Sequence, residues 1–287
     1  MNKLNIALSG YERIYTSNVD RLIEVSNTYG IDAYELWIPN TIAFEDIPET
    51  EKKLRDAGKK VVCVTTWSHL YSENVAEEQS LVIKAIKAAK RLGAERINTY
   101  FGHYRFHNPR RAIDTYVKNL DPVLSVAEKM NIKICLENEF DSRGNDPEFS
   151  DITRSADLTY ELVKKIDSPY FRLTFDPANS YVPGDEPYPY FYELLKDYID
   201  YIHLKDVRKF REGDTQYKMW ADHDRNYVLV PLGEGAVNFF SLFRALLDDD
   251  YQGYLTMEPH IEDEQLLFDV YEKNLRFINM CLGLYNR

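Results

Sequence analysis

PLGEGAVNFFSLFRALLDDDYQGYLTMEPH, residues 231–260, is the stretch whose reading decides the fold. Residues 236–248 read as a helix. Residues 253–258, GYLTME, read as a short buried strand that ends on an acid, Glu258. The same unit recurs upstream. IKICLE (132–137) ends on Glu137, FRLTFD (171–176) ends on Asp176, and DYIHLK (200–205) carries His203. Four further strands are expected at 4–8, 33–38, 60–65 and 96–101. Helices are expected near 18–29, 48–57, 75–92, 109–130, 153–166, 189–197, 236–248 and 263–282. Short apolar strands alternating with helices imply a parallel sheet. Eight such units over this length imply closure into a (β/α)8 TIM barrel, one α/β domain spanning 1–287. An open doubly wound sheet is the alternative, but no GxGxxG follows the first strand.

Composition narrows the partners. The chain has 35 basic and 47 acidic residues, a net charge of −12. That balance argues against nucleic acid or an anionic membrane as the main partner, while leaving room for a local phosphate pocket. No run approaches the roughly 20 apolar residues of a membrane span, and the first residues have too short an apolar stretch for a signal peptide. A cytoplasmic enzyme is expected. Cys63, Cys135 and Cys281 lack metal-binding spacing, and the first two lie inside apolar runs, so buried reduced thiols are expected. The 22 tyrosines suit packing, a polyol pocket or a contact in a homo-oligomer.

The strand ends carry the chemistry. Glu137, Asp176, His203 and Glu258 should project from the C-terminal mouth of the barrel, where such folds build their active sites. Three carboxylates and one imidazole suit one divalent ion. An oxygen-rich set without cysteine favours Mn²⁺, with Mg²⁺, Co²⁺ or Zn²⁺ as alternatives. Open coordination positions would let the ion act as a Lewis acid. Two long excursions, 139–152 and 206–230, fall on the same face. The second contains Trp220, His223 and five basic residues; it is either a substrate cover or a solvated surface insertion.

These motifs resemble the xylose-isomerase-like superfamily of sugar phosphate isomerases and epimerases, which also includes inosose dehydratases and endonuclease IV. The resemblance runs from AYELW (33–37) through LEN (136–138), FDPAN (175–179) and HLKD (203–206) to residues 231–260. It implies a metal-dependent sugar or keto-polyol isomerase or epimerase working through a metal-stabilised enediolate. The ligands would be Glu137, Asp176, His203 and Glu258, with Glu137 and Glu258 also moving protons. An inosose-type dehydratase shares the first half of that reaction; a non-catalytic sugar-binding barrel is a further alternative. Many relatives have a histidine three residues beyond the strand-six aspartate. Here that place is Asn179, which removes a ligand that a multi-zinc nuclease site needs.

Further candidates surround these four. Trp67 could stack on a sugar or roof the barrel. His69 and His103 could meet substrate hydroxyls or pack in loops. Glu35 and Trp37 end the second strand and could touch substrate. Asn179 could hydrogen-bond a hydroxyl. Lys205 could bind an oxyanion or phosphate, or pair with Glu137 or Asp176; by alternation it shares the barrel side with His203. Arg208 is a phosphate candidate. His107 is expected at the surface and His260 in a loop.

Overall fold

The computed structural model describes residues 4–105, 107–140, 146 and 148–285. Eight parallel strands close into a barrel: β1 (Asn5–Ser9), β2 (Ala33–Ile38), β3 (Lys60–His69), β4 (Arg96–Tyr100), β5 (Lys133–Glu137), β6 (Phe171–Phe175), β7 (Ile199–Leu204) and β8 (Tyr254–Met257). They neighbour one another in chain order, and β8 returns to β1 with Leu255 beside Ile6 and Met257 beside Leu8. The two-residue strand period divides the side chains. In β7, Ile202 and Leu204 join the apolar shell against the helices, while Tyr201 and His203 lie inside the barrel. Ala7, Ala33, Cys63 and Tyr201 form a small buried layer of their own in the interior.

Local chemistry explains most helix limits. The helix Val75–Leu92 stops at Gly93, whose φ of 76° is left-handed. The helix Pro109–Met130 starts with proline, and the Asn108 side chain accepts from the Arg111 backbone N–H. Two expectations need adjustment. The helix expected from 153 starts at Ala156, because Ser155 caps it and residues 152–154 form a separate turn. The helix expected at 189–197 is present but changes pitch, running without a gap from Pro187–Phe191 through Tyr192–Leu195 to a tighter turn, Lys196–Tyr198, and a further short helix, Pro177–Tyr181, follows β6. Pro189 stands in its first turn, where a missing N–H costs no hydrogen bond, and the one non-helical residue, Tyr188, precedes it.

Polar groups close the N-terminal end of the barrel. Arg96 is buried; its Nε donates to Asp200 Oδ2 at 2.6 Å and its Nη1 to the Val62 carbonyl at 3.0 Å. Lys133 also bonds Asp200. Burial alone would raise the Asp200 carboxyl, but Arg96 and Lys133 outweigh it and hold the pKa below its usual value. Asp200→Asn should therefore destabilise the fold by about 3–5 kcal/mol, because the Arg96 charge stays buried without its partner. Urea unfolding measures this; unchanged stability would show that water compensates Arg96.

The 206–230 excursion is a three-stranded antiparallel sheet. Asp206–Lys209 pairs with Arg225–Val230, which also pairs with Met219–Asp222. An ordered sheet here was not expected. Its root is Asp206, a buried carboxylate that accepts from the backbone N–H of Val207, Gly233, Gly235 and Val237 at 2.8, 2.9, 3.1 and 3.2 Å. A Cβ on Gly235 would lie 2.0 Å from Asp206 Oδ1, so the second glycine of PLGEG leaves room for this acid. Arg154 holds the sheet from the other side, donating to Asp222 at 2.8 and 3.2 Å. Within the 139–152 excursion, residues 141–145 and 147 lie outside the described residues; Phe149–Ser150 pairs with Tyr104–Arg105.

Candidate active site

The four strand-end residues converge at the C-terminal mouth. Glu137, Asp176, His203 and Glu258 each offer a ligand atom, all within 4.8 Å of one another, and all four are buried. His203 Nδ1 lies 3.0 Å from Glu137 Oε1 and 3.2 Å from Glu258 Oε2. Burial would lower the imidazole pKa, but Glu137, Glu258 and Glu35 outweigh it and hold His203 well above its ordinary value. Burial would raise Glu258, but His203 and His260 hold it well below its ordinary value. Asp176 is pushed upward by burial against the pull of Lys205.

Each of these side chains is held in place by others. Asn98 Nδ2 donates to Glu137 Oε2 at 2.7 Å, and Thr174 in turn donates to Asn98 Oδ1 at 2.7 Å. Ser9 Oγ donates to Glu258 Oε1 at 3.3 Å and itself accepts from Trp37 Nε1 at 3.0 Å. Asn138 Oδ1 accepts the Asp176 N–H, and Asp176 Oδ1 accepts the Asn179 N–H, capping the short helix. Strand alternation alone does not single out Ser9, Asn98 or Asn138. Their role rests on partners from distant strands.

The set fits a divalent cation. With His203 neutral, as coordination of an ion requires, the three acids of the cluster face one ammonium, that of Lys205, leaving an excess of two negative charges. Asp176 Oδ2 is buried without an aligned hydrogen bond, although Lys205 Nζ lies 2.7 Å away. Glu35 stands behind the histidine, with Oε2 3.1 Å from His203 Nε2, and accepts a bond from Thr65. A carboxylate on the second nitrogen of a metal-binding histidine fixes its orientation and tautomer.

The other candidates separate into three places. Trp67, His69, His103 and Lys205 line a cavity of about 300 Å³ above the four residues, together with Tyr100, Phe140, Trp220 and others. This is the lower end of the range for small-molecule sites. Trp67 is 48% exposed and stacks on Tyr100 with ring centres 5.1 Å apart. Glu35, Trp37 and Asn179 lie lower and are fully covered. Glu35 therefore supports His203 instead of standing at the mouth, and Trp37 holds Ser9. Asn179 Nδ2 reaches the Asn138 carbonyl at 2.8 Å and Glu137 Oε1 at 3.4 Å. Arg208 lies outside this group, its guanidinium forked onto Asp214 at 2.7 Å on both arms. His107 is exposed, as expected.

His260 belongs to a loop, as expected, and it also lines the cavity, with Nε2 3.1 Å from Glu258 Oε2. Burial and the Lys205 charge lower its pKa. Glu12 holds this loop by accepting the His260 and Ile261 N–H groups at 2.8 and 2.9 Å. Burial raises the Glu12 carboxyl to about 8.

Fold and site together define a closed (β/α)8 barrel with a buried carboxylate–histidine cluster at its C-terminal mouth. The chain belongs to the xylose isomerase-like TIM barrel family, whose model matches residues 23–281. It is 28% identical to the inosose dehydratase of Bacillus thuringiensis (strain Al Hakam) over 135 residues, 43% of this chain and 42% of that protein. The chain thus spans less than half the length of that curated relative. An uncharacterized protein of Methanocaldococcus jannaschii is 27% identical over 168 residues, 58% of this chain and 50% of that protein. Among solved structures, D-allulose 3-epimerase from Methylomonas sp. in complex with D-allulose aligns with a TM-score of 0.72 at 18% identity, covering 98% of each chain. The IolI protein with a bound zinc atom aligns at 0.74 and 16% identity, covering 98% of this chain and 99% of that one. At these identities the structural likeness is one of fold. No helix among the described residues is long and apolar enough to cross a membrane.

Proposed function

We propose that this protein is a divalent-metal-dependent isomerase or epimerase acting on a sugar, sugar phosphate or related keto-polyol. The observation that carries this reading is the pair Glu137 and Glu258, which approach one imidazole nitrogen at 3.0 and 3.2 Å beside Asp176. Glu137, Asp176, His203 and Glu258 would hold the ion, with Mn²⁺ the leading candidate. When bound, the ion supplies Lewis acidity toward a substrate oxygen. One carboxylate then removes the proton on the carbon next to a carbonyl, and the other returns a proton. Glu258, which His203 and His260 hold ionised, is suited to the first task. Asn98 and Ser9 keep the two carboxylates oriented. The cavity's aromatic walls suit the C–H faces of a polyol.

A second reading is an inosose-type dehydratase, favoured by the curated relatives of that name. It shares proton removal and then expels a hydroxyl. A panel of ketoses and keto-inositols incubated with the Mn²⁺-loaded protein in D₂O separates the two readings. Isomerase or epimerase chemistry should place deuterium on a carbon that the product retains. Dehydration should release water and create a conjugated carbonyl absorbance. Binding without either outcome would leave a non-catalytic sugar-binding barrel.

A further inference from the structure

Two residues that line the cavity have a ring nitrogen buried without an aligned hydrogen-bond partner: Trp220 Nε1, and His260 Nε2, which has Glu258 Oε2 3.1 Å away. Buried polar atoms are nearly always paired, so a donor left over beside a cavity calls for a ligand or water. The rings meet edge to face with centres 5.8 Å apart.

Both rings are held from outside the cavity. His260 has a φ of 55°, in the left-handed region that a residue with a Cβ rarely adopts. Glu12 secures that conformation through the His260 and Ile261 N–H groups at 2.8 and 2.9 Å, and Tyr11 stacks on the imidazole with ring centres 4.1 Å apart. Strained backbone persists where its surroundings enforce it, often at ligand sites. Trp220 lies in the sheet that covers the mouth. Lys218 sits 4.8 Å over its ring and is anchored to Glu262 at 2.6 Å.

The chemistry of the two nitrogens selects the ligand group. An indole N–H only donates, whereas an imidazole nitrogen donates or accepts. A hydroxyl oxygen can accept from Trp220 and either donate to or accept from His260. A phosphate or carboxylate oxygen would bring negative charge beside Glu258, whose Oε2 is 3.1 Å from the same His260 nitrogen. Among the described residues lining the cavity, Lys205 is the sole Lys or Arg, and it is already paired with Asp176 at 2.7 Å. We propose that Trp220 Nε1 and His260 Nε2 form a subsite for one uncharged hydroxyl of a polyol, next to Glu258. The subsite selects free polyols over phosphorylated ones at that position. It rests on the function proposed above for the identity of the ligand as a substrate.

Crystals of the Mn²⁺-loaded protein soaked separately in glycerol, D-allulose and inorganic phosphate test the geometry. One polyol oxygen, or a water in its place, should lie within hydrogen-bond distance of both nitrogens. Nitrogens paired with protein groups instead, or a phosphate oxygen bound between them, would overturn the proposal. Trp220→Phe and His260→Gly then test binding in solution; the glycine also relieves the positive φ, so the second variant should melt no lower than the native protein. For whichever ketose the D₂O panel returns, each variant should raise KM about tenfold, as for one lost hydrogen bond; kcat should stay within about threefold in Trp220→Phe, and fall further in His260→Gly because His260 also contacts Glu258. A fall in kcat at constant KM counts against a binding subsite. If the panel returns no substrate, the proposed function fails, and the position of the crystal oxygen decides the subsite by itself.

Discussion

Glu258→Gln should stop exchange of the substrate's carbon-bound proton while leaving the fold and most of the metal binding intact. The amide matches the carboxylate in shape, and Ser9 can still reach its position, now 3.3 Å from Glu258 Oε1. Glu137, Asp176 and His203 remain to hold the ion. What disappears is the proton acceptor, because an amide oxygen is not basic at neutral pH. Loss of a positioned acid or base slows turnover by about 10²–10⁴-fold. Deuterium incorporation measured by NMR, beside metal content and a melting curve, separates the effects. Full exchange in a metal-loaded variant would remove Glu258 from the proton path. Glu137→Gln is the companion. If the two carboxylates serve opposite faces of one carbon, each variant should lose abstraction from a different epimer.

His203→Ala should weaken metal binding more than about 100-fold. Residues that merely orient a metal-bound histidine are worth 10–100-fold in affinity, and here the proposed ligand itself would be removed. The loss also leaves Glu35, Glu137 and Glu258 facing one another without the imidazole now 3.0–3.2 Å from each. Their repulsion should add destabilisation in the metal-free protein. Glu35→Gln provides the graded control. It keeps a side chain behind Nε2 but removes its charge, so affinity should fall about 10–100-fold. Calorimetric titration with Mn²⁺ measures both variants. Equal affinity in His203→Ala and the native protein would exclude His203 from the ligand set.

The barrel was legible because its signals are local. Each buried strand is an apolar run, each helix has its own limits, and alternation at a two-residue period places His203 and Lys205 on one side. The strand ends at Glu137, Asp176, His203 and Glu258 needed only that rule and the parallel direction of the sheet. The helix expected at 189–197 is there, but its change of pitch toward Lys196–Tyr198 has no local signal. The sheet within 206–230 escaped detection because an excursion after a barrel strand has no fixed register to read.

Position along the barrel axis is a different kind of information. Glu35 lies midway along β2 and Trp67 near the end of β3, so Glu35 is covered beneath His203 while Trp67 stands half-exposed at the mouth. Strand length and stagger set that depth, and β3 runs on to His69 beyond its expected end. Arg208 had the charge for a phosphate but spends it on Asp214. The sequence by itself determined the barrel, the residue types at its mouth and the side of each strand they occupy. Tertiary structure alone decided which of them meet. Glu12 and His260 are 248 residues apart, and Asn98 and Glu137 are 39 apart. Such pairs form only when the sheet closes, because alternation is a property of one strand and contact is a property of several.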